Sequence, residues 1–245
     1  MVVLIHGGPI SRDEWAFNAE VQLLADRGYL VFQPQFRGSS GFGREFEQAG
    51  YRQWGRAMQD DITAGVKHLV GQGLADGARV CIVGASYGGY AALWGLVKTP
   101  DLYRCGVSFA GVSDIGRMYS DWSDTSIDKV TRQLMLDRIG DREKSAELFD
   151  PVSPLKHAAK IKAPVLLMHG EEDQRVPISH GKKMRDALEA SKKDVTWLSF
   201  ENEGHGLQYI ASQVSYFDAL LNFLDKHLAP AGITAAATSP AGGRQ

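Results

Sequence analysis

Cysteine is scarce, with two residues in 245, and that excludes both a disulfide scaffold and a cysteine-based zinc site. Long apolar runs are missing too. No stretch approaches the roughly 20 residues that a bilayer-spanning helix needs, so no membrane partner is expected. No charged leader with an apolar core and a small-residue cleavage site is visible. Neither sign of charge dominates: 27 Lys and Arg stand against 29 Asp and Glu, a formal net charge of -2. The basic residues are scattered, which excludes the footprint of a nucleic-acid binder. Cys81 and Cys105 lie in apolar, strand-like runs and read as reduced core residues. That points to the cytoplasm.

A hydrophobic content of 44% with 23% charged residues suits one globular domain. Short apolar runs alternate with longer stretches of helical period. Strands are expected at 1–5, 29–32, 79–83, 164–170 and 194–200, with a further strand-like apolar run at 105–111. Helices are expected at 13–27, 54–70, 88–98, 179–190 and 208–228. In the first helix Trp15, Phe17, Val21, Leu23 and Leu24 form the inner side. The alternation implies an α/β fold, a mostly parallel sheet with helices on both faces, over residues 1–228. The segment 112–158 breaks the rhythm and reads as a helical excursion above the sheet. Residues 229–245, rich in Pro, Gly, Ala and Ser, read as a disordered tail.

The stretch VCIVGASYGGYAALWG, residues 80–95, places one hydroxyl, Ser86, where an apolar run turns into a helical pattern. Glycines here allow close strand–helix packing, and a serine on such a turn can also attack a carbonyl. The pattern alone decides little, so partners are needed. In parallel sheets reacting groups gather beyond the carboxyl ends of strands. After strand 164–170 come Glu171, Glu172 and Asp173; after strand 194–200 comes ENEGHG, with His205 between glycines. The order serine, acid, histidine is that of α/β-hydrolases.

Among seven histidines, His68, His180 and His227 read as solvated, His157 has no evident partner, and His169 reads as a structural hydrogen-bonding residue. His205, with small neighbours, is the candidate base. Asp173 is the candidate acid, with Glu171 and Glu172 as solvated turn carboxylates. Asp60 and Asp61 face solvent or cap a loop. The expected chemistry is attack by Ser86, proton transfer to His205 and stabilisation of the imidazolium by Asp173. The Tyr87 amide and the HGGP turn at 6–9 can hold the resulting oxyanion. No cofactor or metal is called for.

HGGP, the loop RGSSGFG, GASYGGYAAL, HGEEDQRVP and EGHG together resemble the catalytic domain of the prolyl oligopeptidase family of serine peptidases, its acylaminoacyl-peptidase and dipeptidyl-peptidase-like members above all. The resemblance runs from residue 1 to about 228. It implies the α/β-hydrolase fold, Ser86 as nucleophile, Asp173 as acid and His205 as base. It matches Gly8 and Tyr87 to the oxyanion-hole amides and Arg175 to an arginine that holds a substrate carbonyl. Tyr87, Tyr119, Trp122 and Val176 are candidates for the apolar pocket. Short peptides or acylated amino acids are the implied substrates.

Departures from the pattern set further expectations. The family's N-terminal β-propeller has no counterpart here, and the first two strands of the hydrolase sheet are missing ahead of HGGP. The chain is then a fragment, or a second copy covers the open sheet edge. Gln35 stands where the family often has Asn. Two rival readings stay open: a carboxylesterase using the same residues, and a truncated, non-catalytic domain.

Overall fold

The computed structural model describes residues 1–118, 129–141 and 147–228. Six strands form one sheet: β1 (Val2–Ile5), β2 (Val31–Phe32), β3 (Cys81–Ala85), β4 (Cys105–Phe109), β5 (Val165–Gly170) and β6 (Val195–Phe200). Their order is β2-β1-β3-β4-β5-β6, and every pairing is parallel. Among the described residues the helices include α1 (Ala19–Asp26), α2 (Arg44–Gln48), α3 (Ala57–Gly71), α4 (Tyr87–Lys98), α5 (Lys129–Arg138), α6 (Ser179–Ala190) and α7 (Ile210–Leu228).

Strand periodicity sorts the core into two layers. Val3, Ile5, Ile82, Val165 and Leu167 face α3, α4 and α6, meeting Ile62, Leu93 and Met184. Val2, Leu4, Val83, Val107, Leu166 and Met168 face the other way, against Leu24 of α1 and Leu220 and Leu224 of α7. The central strands are apolar on both sides, which is why they read as continuous apolar runs. The chain steps from β1 outward to β2, then returns across β1 to β3. That reversal leaves a crevice beyond the carboxyl ends of β1 and β3.

Glycine makes the β3–α4 turn this tight. A Cβ on Gly84 would strike the backbone of Gly88, and one on Gly88 would strike the Ile5 carbonyl. Gly88→Ala is expected to lower stability by about 1–3 kcal/mol through overpacking. A urea midpoint equal to that of the unsubstituted protein would contradict this contact.

Several expectations are corrected. The first helix starts at Ala19, because the Asn18 side chain caps it by accepting the Val21 amide at 3.1 Å. Trp15 and Phe17 precede the cap and are exposed (107% and 83%), so they form no inner side. β3 runs two residues further than expected, since Gly84 and Ala85 still pair with Ser108 and Phe109. Helix α2 had no periodic signal long enough to mark it.

Cys81 and Cys105 are not free thiols: they are disulfide-bonded. They occupy matched positions of neighbouring strands β3 and β4, which brings them together across 24 residues of sequence. The inference of a reducing compartment loses its support. Among the described residues no helix is long and apolar enough to cross a membrane.

His180 is also corrected, from solvated to fully buried. Its Nδ1 accepts the Ser113 amide at 3.2 Å. Burial first, then Arg117 nearby, pushes its pKa down to about 4. The unfolded chain binds this proton below about 6.5, so between these values it holds more protons than the folded one. Stability should therefore fall as pH drops, by about 2 kcal/mol from this residue between pH 7 and pH 5. Urea midpoints at the two pH values should show that slope, and His180→Gln should flatten it; an unchanged slope would refute the assignment. His227 is half-buried against Phe223, and His157 lies 3.1 Å from the Asp150 carbonyl. His68 is exposed as expected.

Candidate active site

Ser86 stands between β3 and α4 with φ 58° and ψ -120°. This is left-handed backbone that L-residues adopt only when their surroundings impose it. What imposes it is on both sides: the Ser86 amide donates to the Phe109 carbonyl at the end of β4, and its carbonyl accepts the Tyr90 amide of α4. The hydroxyl-bearing residue is thus pinned at the N-terminus of a helix, where the dipole favours developing negative charge.

Gly8 follows β1, beside this corner. Its φ is +113°, and a Cβ there would sit 2.7 Å from the Ile10 amide nitrogen, so glycine is required. The turn is held by the loop after β2. His6 stacks on Phe36 at 4.5 Å and lies 2.9 Å from the Ser39 hydroxyl through Nε2. A second contact ties Ser40 to the Ser11 carbonyl. That loop is anchored in turn by Arg37, which donates twice to the Asp61 carboxylate at 2.7 Å. Asp61 also accepts the Arg37 amide, so it caps the loop. Gln35 donates to the Asp13 carbonyl. The glycine-rich loop is therefore a brace for HGGP.

Asp173 and His205 follow β5 and β6. His205 Nδ1 lies 2.7 Å from Asp173 Oδ2. The other carboxylate oxygen accepts the amides of Arg175 and Val176 at 2.8 and 2.9 Å. Burial alone would raise this carboxyl, but hydrogen bonds from His169, His205 and the Val176 amide outweigh it and hold it well below the usual carboxylate range. Asp173 is therefore a charged acceptor at neutral pH. The loops bearing the acid and the imidazole are tied together, since the Glu172 amide donates to the Glu203 carbonyl. The buried Glu203 carboxylate accepts the Gln208 and Tyr209 amides and so docks the His205 loop onto the start of α7.

Ser86, Gly8, Tyr87, Arg175, Val176 and His205 all line one cavity of about 730 Å³. Its wall also holds Trp54, Val112, Met118 and Ile139, with Arg138 and Glu172 as charged groups. Tyr87 is fully buried, packed on Trp54 and Phe36; burial raises its hydroxyl pKa, so it stays neutral. Such a cavity can hold an apolar side chain while its backbone amides and guanidinium groups bind oxygens. Glu171 accepts the Ser199 hydroxyl and is exposed, as expected of a turn carboxylate. Tyr119 and Trp122 lie outside the described residues. No group of three or more His, Cys, Asp or Glu among the described residues could hold a metal.

Sequence reasoning missed Met118, Arg138 and Ile139, because the excursion that carries them has no periodicity to orient a face. It missed Glu203 as a clamp, because Glu203 stands seven residues before α7, outside any capping spacing.

Comparison with known proteins identifies the family and the fold. A family model described as the prolyl oligopeptidase family matches residues 15–231. Dipeptidyl aminopeptidase BIII of Pseudoxanthomonas mexicana is 38% identical over 212 residues, 84% of this chain and 30% of its own. A puromycin-hydrolysing peptidase of Mycobacterium tuberculosis superposes with a TM-score of 0.87 at 31% identity, covering 95% of this chain and 35% of that one. The acylaminoacyl peptidase of Pyrococcus horikoshii gives 0.84 at 28%, covering 95% and 38%. The chain spans about a third of the length of these proteins. It has their α/β-hydrolase fold, and with most of its residues inside the family match, it belongs to the prolyl oligopeptidase family of serine peptidases.

Proposed function

We propose that this domain hydrolyses the peptide bonds of short peptides through an acyl-enzyme, with Ser86, Asp173 and His205 as its triad. The observation that carries the reading is the 2.7 Å contact between His205 Nδ1 and the charged Asp173, with Ser86 and His205 on one cavity. A proton on Nδ1 leaves Nε2 bare and able to take one from the serine hydroxyl. Ser86 Oγ then bonds to the substrate carbonyl carbon. The Gly8 and Tyr87 amides hold the oxyanion, a donor of this kind being worth about 2.7–4 kcal/mol in the transition state. His205 gives its proton to the leaving amine as the carbon–nitrogen bond breaks. Water, activated by the same imidazole, releases the acid and restores the hydroxyl. These steps use no metal or cofactor.

The substrate class follows from the relatives, one named for dipeptidyl aminopeptidase activity, one for acylaminoacyl peptidase activity and one for puromycin hydrolysis. Arg175 is proposed to hold a substrate carbonyl, with Tyr87 and Val176 on the apolar side. The test compares aminoacyl and dipeptidyl p-nitroanilides with p-nitrophenyl esters. Turnover of amides supports a peptidase. Turnover of esters alone would reduce the domain to a carboxylesterase, and inertness towards both would overturn the reading.

A further inference from the structure

Beneath the acid lies a second histidine that the proposed mechanism does not use. His169 is the next-to-last residue of β5, is 1% exposed, and has Nε2 2.8 Å from the Val176 carbonyl. A carbonyl only accepts, so Nε2 carries the proton and donates. The same nitrogen stands 3.5 Å from Asp173 Oδ2, the oxygen that His205 engages. Asp173 meanwhile accepts the Val176 amide. His169 therefore holds both the residue that orients the carboxylate and, more weakly, the carboxylate itself.

We infer that His169 is a positioning residue for the acid: its Nε2–H locks the 173–176 loop so that Asp173 Oδ2 meets His205 Nδ1. This deepens the peptidase reading and rests on the triad proposed there. The ring has little freedom to do otherwise. Gly181 at the start of α6 leaves it room, since a Cβ there would stand 2.9 Å from His169 Nδ1 and 2.7 Å from the Trp197 ring. Without the imidazole, the buried Val176 carbonyl would lose its donor, and a buried polar group seeks another partner by moving. Small displacements of a catalytic group cost rate out of proportion to their size.

The test uses His169→Leu, which fills the space without a donor, and His169→Gln, whose amide can donate to the same carbonyl. With active sites titrated by a fluorophosphonate, kcat per site should fall about 10- to 100-fold in His169→Leu, the range for losing one hydrogen bond to a charged group. KM should stay within about twofold, since the loss falls on the transition state. His169→Gln should recover most of the loss. Equal kcat per site in the unsubstituted protein and His169→Leu would overturn the inference, as would a glutamine variant no better than leucine. A merely structural role would lower the titrated fraction and the melting temperature but not kcat per site.

The far-downfield proton resonance of the His205–Asp173 hydrogen bond gives a readout that needs no turnover. It should be present in the unsubstituted protein, vanish or move upfield in His169→Leu and return in His169→Gln. If the unsubstituted protein shows the resonance but Ser86 does not label, the peptidase reading fails while the positioning role is still decided by the variants. A resonance unchanged in His169→Leu, or absent from the folded unsubstituted protein, sinks the positioning role.

Discussion

Ser86→Ala is expected to lower kcat for an aminoacyl amide by about 10⁶, by analogy with other triads. The fold should survive, because alanine fits the same corner: among the described residues the Ser86 side chain makes no capping hydrogen bond, and the pinning contacts to Phe109 and Tyr90 are backbone. His205→Ala should cost about as much, and the double variant no more, since the two act as a unit. What remains would be the rate supported by binding and the oxyanion amides. Steady-state assays of the three variants decide the matter. Losses that multiply in the double variant, or a single loss below about a hundredfold, would mean that the two residues do not form one nucleophilic unit.

The second large effect is Asp173→Asn, for which about 10⁴ in kcat is expected. The geometry gives a reason for the direction. The Arg175 and Val176 amides both donate to Oδ1, so an asparagine must turn its carbonyl oxygen toward them. Its NH₂ group then takes the place of Oδ2, against His205 Nδ1, where an acceptor is needed. The imidazole responds by moving its proton to Nε2, and a protonated Nε2 cannot deprotonate Ser86. Structure should be little changed, so the melting temperature and the binding of a substrate-like inhibitor should hold while kcat collapses. Activity that survives Asp173→Asn but disappears on changing Glu172 would move the acid to the cavity wall, where Glu172 stands.

The candidate site was legible because it is built from strand ends. Ser86, Asp173 and His205 each follow an apolar run, and parallel strands deliver such ends to one side of the sheet. Helix α6 was legible too, expected at 179–190 and found at Ser179–Ala190. The rest depends on partners distant in sequence. His180 looked like a helix-start residue, and only the docking of α6 against Ser113 buries it. The Cys81–Cys105 bond needs the register of β3 against β4, which no local pattern reports. The start of α1 hinged on the Asn18 cap, where amphipathic period misled by extending the helix back to residue 13.

The most direct measurement is the intact mass of the folded protein after a fluorophosphonate probe, with peptide mapping and Ser86→Ala as control. The account predicts one adduct per chain, on Ser86, absent from the alanine variant and strongly slowed in His205→Ala. No adduct on a protein that melts cooperatively, or an adduct on another residue, would contradict an activated serine at this corner.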